Sequence, residues 1–456
     1  MVHINKLHGV AGRFLLRSDE LTAALRMLRK AKFISLIDQL QRRVWAKWPA
    51  DRWIEALVAM WSKACRFNGE HMSNQFDLTS HRSLIETMMK DADDAPDSAA
   101  VETEGLERCF YTLWGREDEI TWELQPLEDL VDSIVPGTGR QDWRKLRPFD
   151  MLPDPGADNK GVARKKLYEG EHVRISAAHI SCSEPHFERA ADFDTIFMQF
   201  SGVSVVETSF GIYELFPGEA ILIPAMVVHR TTGSPDCRRM EYHVRELVAT
   251  HLPAATGEQK LRFQVRREGE AAAKPVVPEI SRPENGDILE HMSRWGDLPG
   301  EDFWLRRTYK WLVGQADRGR KPHKIRPFEH FVQTVAATKD LPPVRTALLW
   351  DSATFRQRVY SNPGRQPAPH RGYDEDELWF QFVGPIRVET EHAAYYMENG
   401  SYSMVEAGLS HTSESTLDMY RLTTYSPKPV RMVVDPEAHL RHTTWVVDTL
   451  DADKGE

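Results

Sequence analysis

One stretch of this chain occurs twice, and that duplication limits what the chain can fold into. Residues 202–229 read GVSVVETSFGIYELFPGEAILIPAMVVH and residues 384–411 read GPIRVETEHAAYYMENGSYSMVEAGLSH, two spans of 28 positions that align without a gap. Val206, Glu207 and Thr208 fall on Val388, Glu389 and Thr390, Tyr213 on Tyr395 and Gly218 on Gly400, at a constant offset of 182. Gln199-Phe200 and Gln381-Phe382 precede the two spans at the same offset. Solenoid and propeller repeats recur every ~20–50 residues, so this period marks a duplicated domain. Each copy closes on a histidine, His229 or His411, and each has another upstream, His186 or His370. The pattern predicts two similar β barrels, each with a candidate ligand-bearing wall.

Composition narrows the partners. A chain of 456 residues with 41% hydrophobic and 28% charged residues is long enough for two or three domains with full cores. Its net charge of -10 and pI near 6.0 argue against nucleic acid and anionic membranes. The four cysteines, Cys65, Cys109, Cys182 and Cys237, form no CxxC pair, which argues against a thiolate zinc site and for a reducing compartment. No apolar run approaches the ~20 residues of a membrane span, and the N-terminus lacks a secretory h-region. A cytoplasmic protein is expected.

Periodicity divides the chain further. Residues 1–150 read as a helical N-terminal domain. Trp53, Ile54, Leu57, Val58 and Trp61 form one helical stripe, and Leu127, Leu130, Val131 and Ile134 form another. These stripes and the Met88-Met89 pair are read as core packing. Pro153 to Gly156 reads as a linker. Beyond it come short runs rich in β-branched and aromatic residues, such as His172–Ile180, Val203–Thr208 and Ala220–Ile223, punctuated by Gly and Pro. The first barrel is placed at 165–252 and the second at 345–447. A connection at 253–344 is expected to carry short helices over Asp287–Trp295 and Glu301–Leu312. The fold class predicted is mainly β: two barrels behind an α-helical N-terminal domain.

The second copy carries the stronger chemical signal. His370 sits at a turn, Glu377 follows on a strand seven residues before Gly384, and His411 follows on a later strand. Two imidazoles and a carboxylate on one barrel wall make a facial three-donor site suited to Fe(II), Mn(II) or Ni(II). Asp376 or Glu375 could stand in for Glu377. Adjacent strand residues face opposite ways, so Asp376 and Glu377 cannot both point inward. Asp376 aligns with Asp194, which suggests a structural role common to both copies.

In the first copy Thr195 stands opposite Glu377, a poor ligand, and His186 lies farther from its glycine than His370 does. The first barrel is therefore read as degenerate and kept for folding or for walling off the site. A metal on His186, His229 and Asp192 or Asp194 stays open. Three further residues are candidates for the reaction: His392 as an acid–base group, Tyr373 as a hydrogen-bond partner of a phenolic substrate, and Arg371 as a carboxylate partner. His323 and His330 lie in a connection that could cover a barrel mouth.

These motifs resemble the cupin superfamily, whose double-stranded β-helix barrels carry a His-containing turn, a Glu and then a Gly, followed by G-x5-P-x-G-x2-H. Gly400 to His411 matches that second motif except for Glu406 in place of Pro, and Gly218 to His229 keeps Pro224 but has Met226 in place of the second Gly. The single upstream histidine resembles the homogentisate 1,2-dioxygenase branch of the two-barrel cupins. That resemblance implies Fe(II) in the second barrel on His370, Glu377 and His411, a first barrel without metal, and a ring-cleaving dioxygenase acting on O2 and a homogentisate-, gentisate- or hydroquinone-like substrate. A metal-dependent cupin isomerase, lyase or decarboxylase that needs no O2, or a non-catalytic small-ligand binder, are the alternatives. A homo-oligomer, most simply a dimer, is expected from the same resemblance and from the Trp-rich N-terminal block.

Overall fold

The computed structural model describes residues 106–112, 114, 121–126, 145–153, 161–272, 274–280, 286–296, 303–313, 319–336, 345–361, 364–366, 369–372, 374–390, 394–415, 419–434 and 443–451. The expected N-terminal helical stripes, with Met88 and Met89, lie outside these residues, as do Tyr373 and His392.

The first barrel has eight strands: β1 (Val173–Ile180), β2 (Phe187–Ala190), β3 (Asp194–Ser201), β4 (Ser204–Thr208), β5 (Gly211–Leu215), β6 (Ala220–Ile223), β7 (His229–Gly233) and β8 (Arg238–Val244). The second has β9 (Arg356–Ser361), β10 (His370–Gly372), β11 (Asp376–Val383), β12 (Ile386–Thr390), β13 (Ala394–Met397), β14 (Tyr402–Val405), β15 (His411–Ser415) and β16 (Tyr420–Ser426). Strand order is β6-β3-β8-β1 and β2-β7-β4-β5 in the first barrel, and β14-β11-β16-β9 and β10-β15-β12-β13 in the second. Adding eight to each label turns one order into the other. This order is the double-sheet jelly roll, the architecture of which cupins are one family.

Burial explains how the two barrels meet. All eight residues of β3 are buried, and so are all eight of β11. A strand covered on one face would alternate buried and exposed, so both faces of these sheets are covered. Ile196, Met198 and Phe200 enter one large core with Leu378, Phe380 and Phe382. The alternate residues Phe197 and Trp379 are absent from that core and face the barrel interiors.

The segments flanking each barrel attach to the other one. Ala249–Thr250, which follows the first barrel, pairs with Arg345–Asp351 at the edge of the β9 sheet. Val430–Met432, which follows the second, pairs with Val162–Gly170 at the edge of the β1 sheet. Lys145–Leu146 joins β14 and His323–Ile325 joins β6. One carboxylate pins each crossing. Asp194 accepts hydrogen bonds from the backbone N–H of Val248 (2.8 Å) and of Ala225 (2.8 Å). Asp376 accepts one from Val430 N–H (2.8 Å), the position 182 residues beyond Val248. The structural role expected from their alignment is therefore observed.

Contacts group residues up to 131 with 368–374 and 406–411 into one compact unit and the rest of the chain into a second. In the smaller unit a hairpin of Leu106–Thr112 and Thr121–Pro126 pairs in parallel with β10, Phe110 opposite His370. In the larger unit a hairpin of Asp287–Ser293 and Phe303–Thr308 pairs in parallel with β2, His291 opposite Glu188.

These hairpins correct two expectations. The end of the 1–150 block holds strands, including Lys145–Leu146, where helix was expected. Asp287–Ser293 and Phe303–Thr308 are also strands, and only Tyr309–Val313 of the expected helix is helical. In Asp287–Ser293, Ile288 and Glu290 are buried and alternate with exposed neighbours, the period of a strand. Pairing with β2 overrides the local helical preference. The connection also carries Leu261–Arg267, paired with Trp445–Asp451, and a helix over Pro327–Ala336. His323 donates its Nε2–H to Leu252 O (2.9 Å) and sits on the edge strand that pairs with β6. Among the described residues no helix is long and apolar enough to cross a membrane.

Two backbone positions show what the repeats require. Gly218 and Gly400 turn at φ +86° and +76°, and a Cβ there would come within 2.6 Å of Phe263 or 2.8 Å of Phe200. Gly408 adopts φ +84°, and its counterpart Met226 adopts φ +70°. The left-handed conformation costs a non-glycine residue ~1–2 kcal/mol. The first barrel thus keeps the backbone of the motif after losing its glycine.

Candidate metal centre

β10 and β15 lie side by side, with His370 directly opposite His411. Their rings stand 4.0 Å apart between centroids. Glu377 enters from β11. One donor atom from each of His370, Glu377 and His411 lies within 4.8 Å of the others, the one such group of His, Cys, Asp or Glu among the described residues. Glu377 and His411 are buried, and His370 is half-buried.

Hydrogen bonds hold two of these donors in place. His411 Nδ1 lies 3.1 Å from the carbonyl of Leu409. A carbonyl only accepts, so Nδ1 carries the proton and Nε2 has the lone pair a metal takes. Trp379, two residues beyond Glu377 on the same face of β11, donates its indole N–H to Glu377 Oε2 (3.0 Å). That bond steadies the carboxylate beside the two imidazoles. The donor set of two imidazoles and one carboxylate fits a borderline divalent ion such as Fe(II), Mn(II) or Ni(II). Replacing Trp379 with Phe keeps the ring but removes the donor. W379F should weaken metal affinity by about 10–100-fold, read by titration against a chelating dye; unchanged affinity would mean that the carboxylate is oriented by something else.

The register settles which acid joins the histidines. Asp376 and Glu377 are neighbours on a strand and point to opposite faces. Asp376 is occupied with Val430, and Glu377 lies with His370 and His411. Glu375 is buried but stands outside the cluster. Arg371 is buried next to His370 on β10, so alternation points it away from the face His370 uses.

Residues outside the motif complete the wall. β9 alternates Arg356, Arg358 and Tyr360 against buried Gln357, Val359 and Ser361. The Tyr360 and Tyr425 hydroxyls bond to each other. Tyr425 sits directly opposite Glu377. Arg421 is fully buried and stacks at 3.8 Å over Trp379 and 5.1 Å over Tyr360. Tyr360 therefore shares the face of Trp379 and Glu377, and alternation puts Arg358 and Arg356 on that face too. Burial, ahead of the surrounding charges, raises both tyrosine pKa values, Tyr425 well above the usual range, so both hydroxyls keep their protons at neutral pH. For Arg356, Arg421 and Trp379 the duplication carries a signal, since they fall on Arg174, Arg239 and Phe197.

The same offset shows what the first barrel lost. His229 pairs with Glu188 as His411 pairs with His370, so Glu188 and not His186 is the counterpart of His370. Spacing pairs His186 with His370, whereas the strand register pairs Glu188 with His370. His186 packs edge-on against Trp304 at 4.8 Å. Asp192 accepts from Trp295 N–H (2.8 Å), and Asp194 is bound to the backbone and to Arg320.

A guanidinium lies among the acids of this barrel. Arg164 bonds Glu184, and pairs with Glu188 at 3.5 Å and Glu241 at 3.1 Å. Arg239 pairs with Glu241 at 2.6 Å and stacks over Phe197 at 3.5 Å. Burial is the largest single influence and raises the Glu188 and Glu241 carboxyls, but Arg164 acting with His186 and His229 at Glu188, and with Arg239 and His243 at Glu241, outweighs it and leaves Glu241 below, and Glu188 well below, the ordinary 4.5.

No family model matches the chain, and no curated protein matches it significantly. Among solved structures it is similar to a Cupin 2 conserved barrel domain protein from Leptotrichia buccalis, at 10% identity and TM-score 0.38, covering 65% of this chain and 99% of that one. It is similar also to a mutant Bacillus subtilis oxalate decarboxylase, at 10% identity and TM-score 0.37, covering 64% and 79%. A third is the E. coli protein Ylba, at 10% identity and TM-score 0.36, covering 66% and 96%. None of these three is a homogentisate dioxygenase. The jelly rolls follow from the strand order itself.

Proposed function

We propose that the protein is a metal-dependent dioxygenase that cleaves the ring of a hydroxylated aromatic acid in its second barrel. The observation that carries this reading is the His370–Glu377–His411 cluster, whose three donors would hold a divalent ion and would leave positions free for substrate and O2. The arginines support an anionic substrate. Arg356 and Arg358 share the inner face with Glu377 and can take a carboxylate in a two-point grip. Trp379 and Tyr360, with Arg421 stacked on both, supply an aromatic wall beside the cluster. The Tyr360–Tyr425 pair presents protonated hydroxyls that can hydrogen-bond a phenolic oxygen and return a proton to it.

An Fe(II) ion held by the three donors would supply Lewis acidity and the capacity to activate O2. The chain's own part is to orient the ring, exclude water and hold the proton. Both atoms of O2 enter the product, so no external reductant is required.

Oxygen uptake decides the reading. Iron-loaded protein is mixed with dihydroxybenzoates and hydroquinones at saturating O2. One O2 should be consumed per substrate lost. R358M should raise KM by about 100-fold, as expected for losing a charge-assisted pair, with kcat changed less than about 10-fold. Release of CO2 from a carboxylate substrate under anaerobic conditions, without O2 uptake in air, would replace this reading with a decarboxylase.

A further inference from the structure

A cavity of about 280 Å³ lies in the first barrel, the one without the ligand set. It falls just under the ~300–1,000 Å³ typical of small-molecule sites. Its floor carries three acids and two guanidiniums. Arg164 takes up Glu184, Glu188 and Glu241, and Arg239 also holds Glu241.

The rim is not balanced among the described residues. Lys166 Nζ and Arg174 Nε both reach one oxygen of Glu169, at 2.9 and 3.2 Å. Arg431 takes the other oxygen at 3.3 Å. Three cations on one carboxylate leave an excess of positive charge. Lys166 and Arg174 both line the cavity, and the Arg174 guanidinium is steadied over the Trp295 ring at 4.1 Å. Deeper in, the lining changes character. Thr195 Oγ1 meets His243 Nδ1 at 3.3 Å, and Phe193 packs edge-on against His243 at 5.2 Å. Burial pushes His243 down to about 4, so its imidazole is neutral at pH 7 and offers both a donor and an acceptor.

We propose that the first barrel is a metal-independent binding site for a small hydroxylated organic anion, with its carboxylate at Lys166 and Arg174 and its hydroxyl at His243 and Thr195. The barrel that lost its ligands has kept a binding function. Arg174 holds the place that Arg356 holds in the second barrel, so both copies carry a cation at the same point. The site does not depend on the reaction proposed for the second barrel.

The test is calorimetry on the full chain carrying H370A and H411A, which removes the second barrel's donors. The probes are 4-hydroxybenzoate, benzoate, lactate and neutral 4-hydroxybenzyl alcohol. At least one of the two hydroxy acids should bind. The same probe should bind at least about 30-fold more weakly to a K166Q/R174Q variant, the loss expected for charge-assisted bonds. Lys166 is half exposed, so K166Q alone, expected to weaken binding about 10-fold, serves if the double variant does not fold. H243F should erase any preference for 4-hydroxybenzoate over benzoate. R358M, which removes the second barrel's own carboxylate partner, should leave the binding that K166Q weakens unchanged. The proposal is overturned if neither hydroxy acid binds up to 20 mM (roughly the limit of a useful small-ligand affinity), if the neutral alcohol binds as well as the acid, or if R358M abolishes binding.

Discussion

Replacing Glu377 with Ala should empty the second barrel of metal while the chain stays folded, and replacing Asp376 should lower stability while the metal stays. Glu377 is the one carboxylate among the three donors. Losing an outer hydrogen-bond partner costs about 10–100-fold in metal affinity, so losing a ligand should exceed about 100-fold. Elemental analysis of E377A should then show less than about a tenth of the wild-type metal content at equal loading. Its melting temperature in the metal-free state should match metal-free wild type, because the carboxylate faces the barrel interior and not the shared core. Asp376 accepts the Val430 N–H that seats the second barrel's trailing strand on the first barrel's sheet. D376A should leave that buried donor without its acceptor, at about 1–3 kcal/mol, with metal content unchanged. If D376A loses the metal and E377A keeps it, the inward face of β11 has been assigned wrongly.

The second large effect lies in the first barrel. Arg164 sits among Glu184, Glu188 and Glu241, and R164M should strip three acids of a shared cation. Breaking a buried pair costs ~3–5 kcal/mol. The Arg164 side chain is 32% exposed, so solvent screening brings the expected loss below that range, to roughly 1–3 kcal/mol. That corresponds to a melting temperature lower by roughly 2–5 °C at pH 7.

The sign with pH is fixed. Glu188 and Glu241 have folded pKa values below their ordinary 4.5, so their contribution is complete above that pH and is lost as pH falls through the folded values. Wild type should therefore lose stability below about pH 4.5. The gap between wild type and R164M should narrow over the same range, because a protonated acid needs no cation. A gap that stays constant from pH 7 to pH 3 would show that Arg164 acts through packing alone. Thermal melts across that range measure both.

The duplication was legible because it is a property of order along the chain. The offset of 182 predicted two barrels, set Glu377 against Thr195, and gave Asp194 and Asp376 a common role before any strand was placed. Period-2 alternation was enough to say that Asp376 and Glu377 face opposite ways. Residue types alone could nominate two histidines and an acid as metal donors. Where the local pattern was weak, reading by pattern failed. Asp287–Ser293 looked helical until its pairing with β2 was seen, since an edge hairpin draws its stability from the strand it meets.

The tertiary structure decided everything that depends on which strand lies beside which. Glu188, and not His186, stands where His370 stands, because strand register and not histidine spacing defines equivalence. Arg358, Tyr360 and Tyr425 joined the metal wall only when β9 and β16 were found flanking it, from positions the motif does not include. Arg164 comes from a strand before the first barrel, and no local signal ties it to acids that lie 20, 24 and 77 residues away. Ion pairs and ligand sets need a few ångströms of separation, and a linear sequence does not carry distance. The sequence determined that there are two barrels and which one keeps a full set of metal donors. Only the folded chain determined that the other had taken a guanidinium in among its acids and kept an open cavity above it.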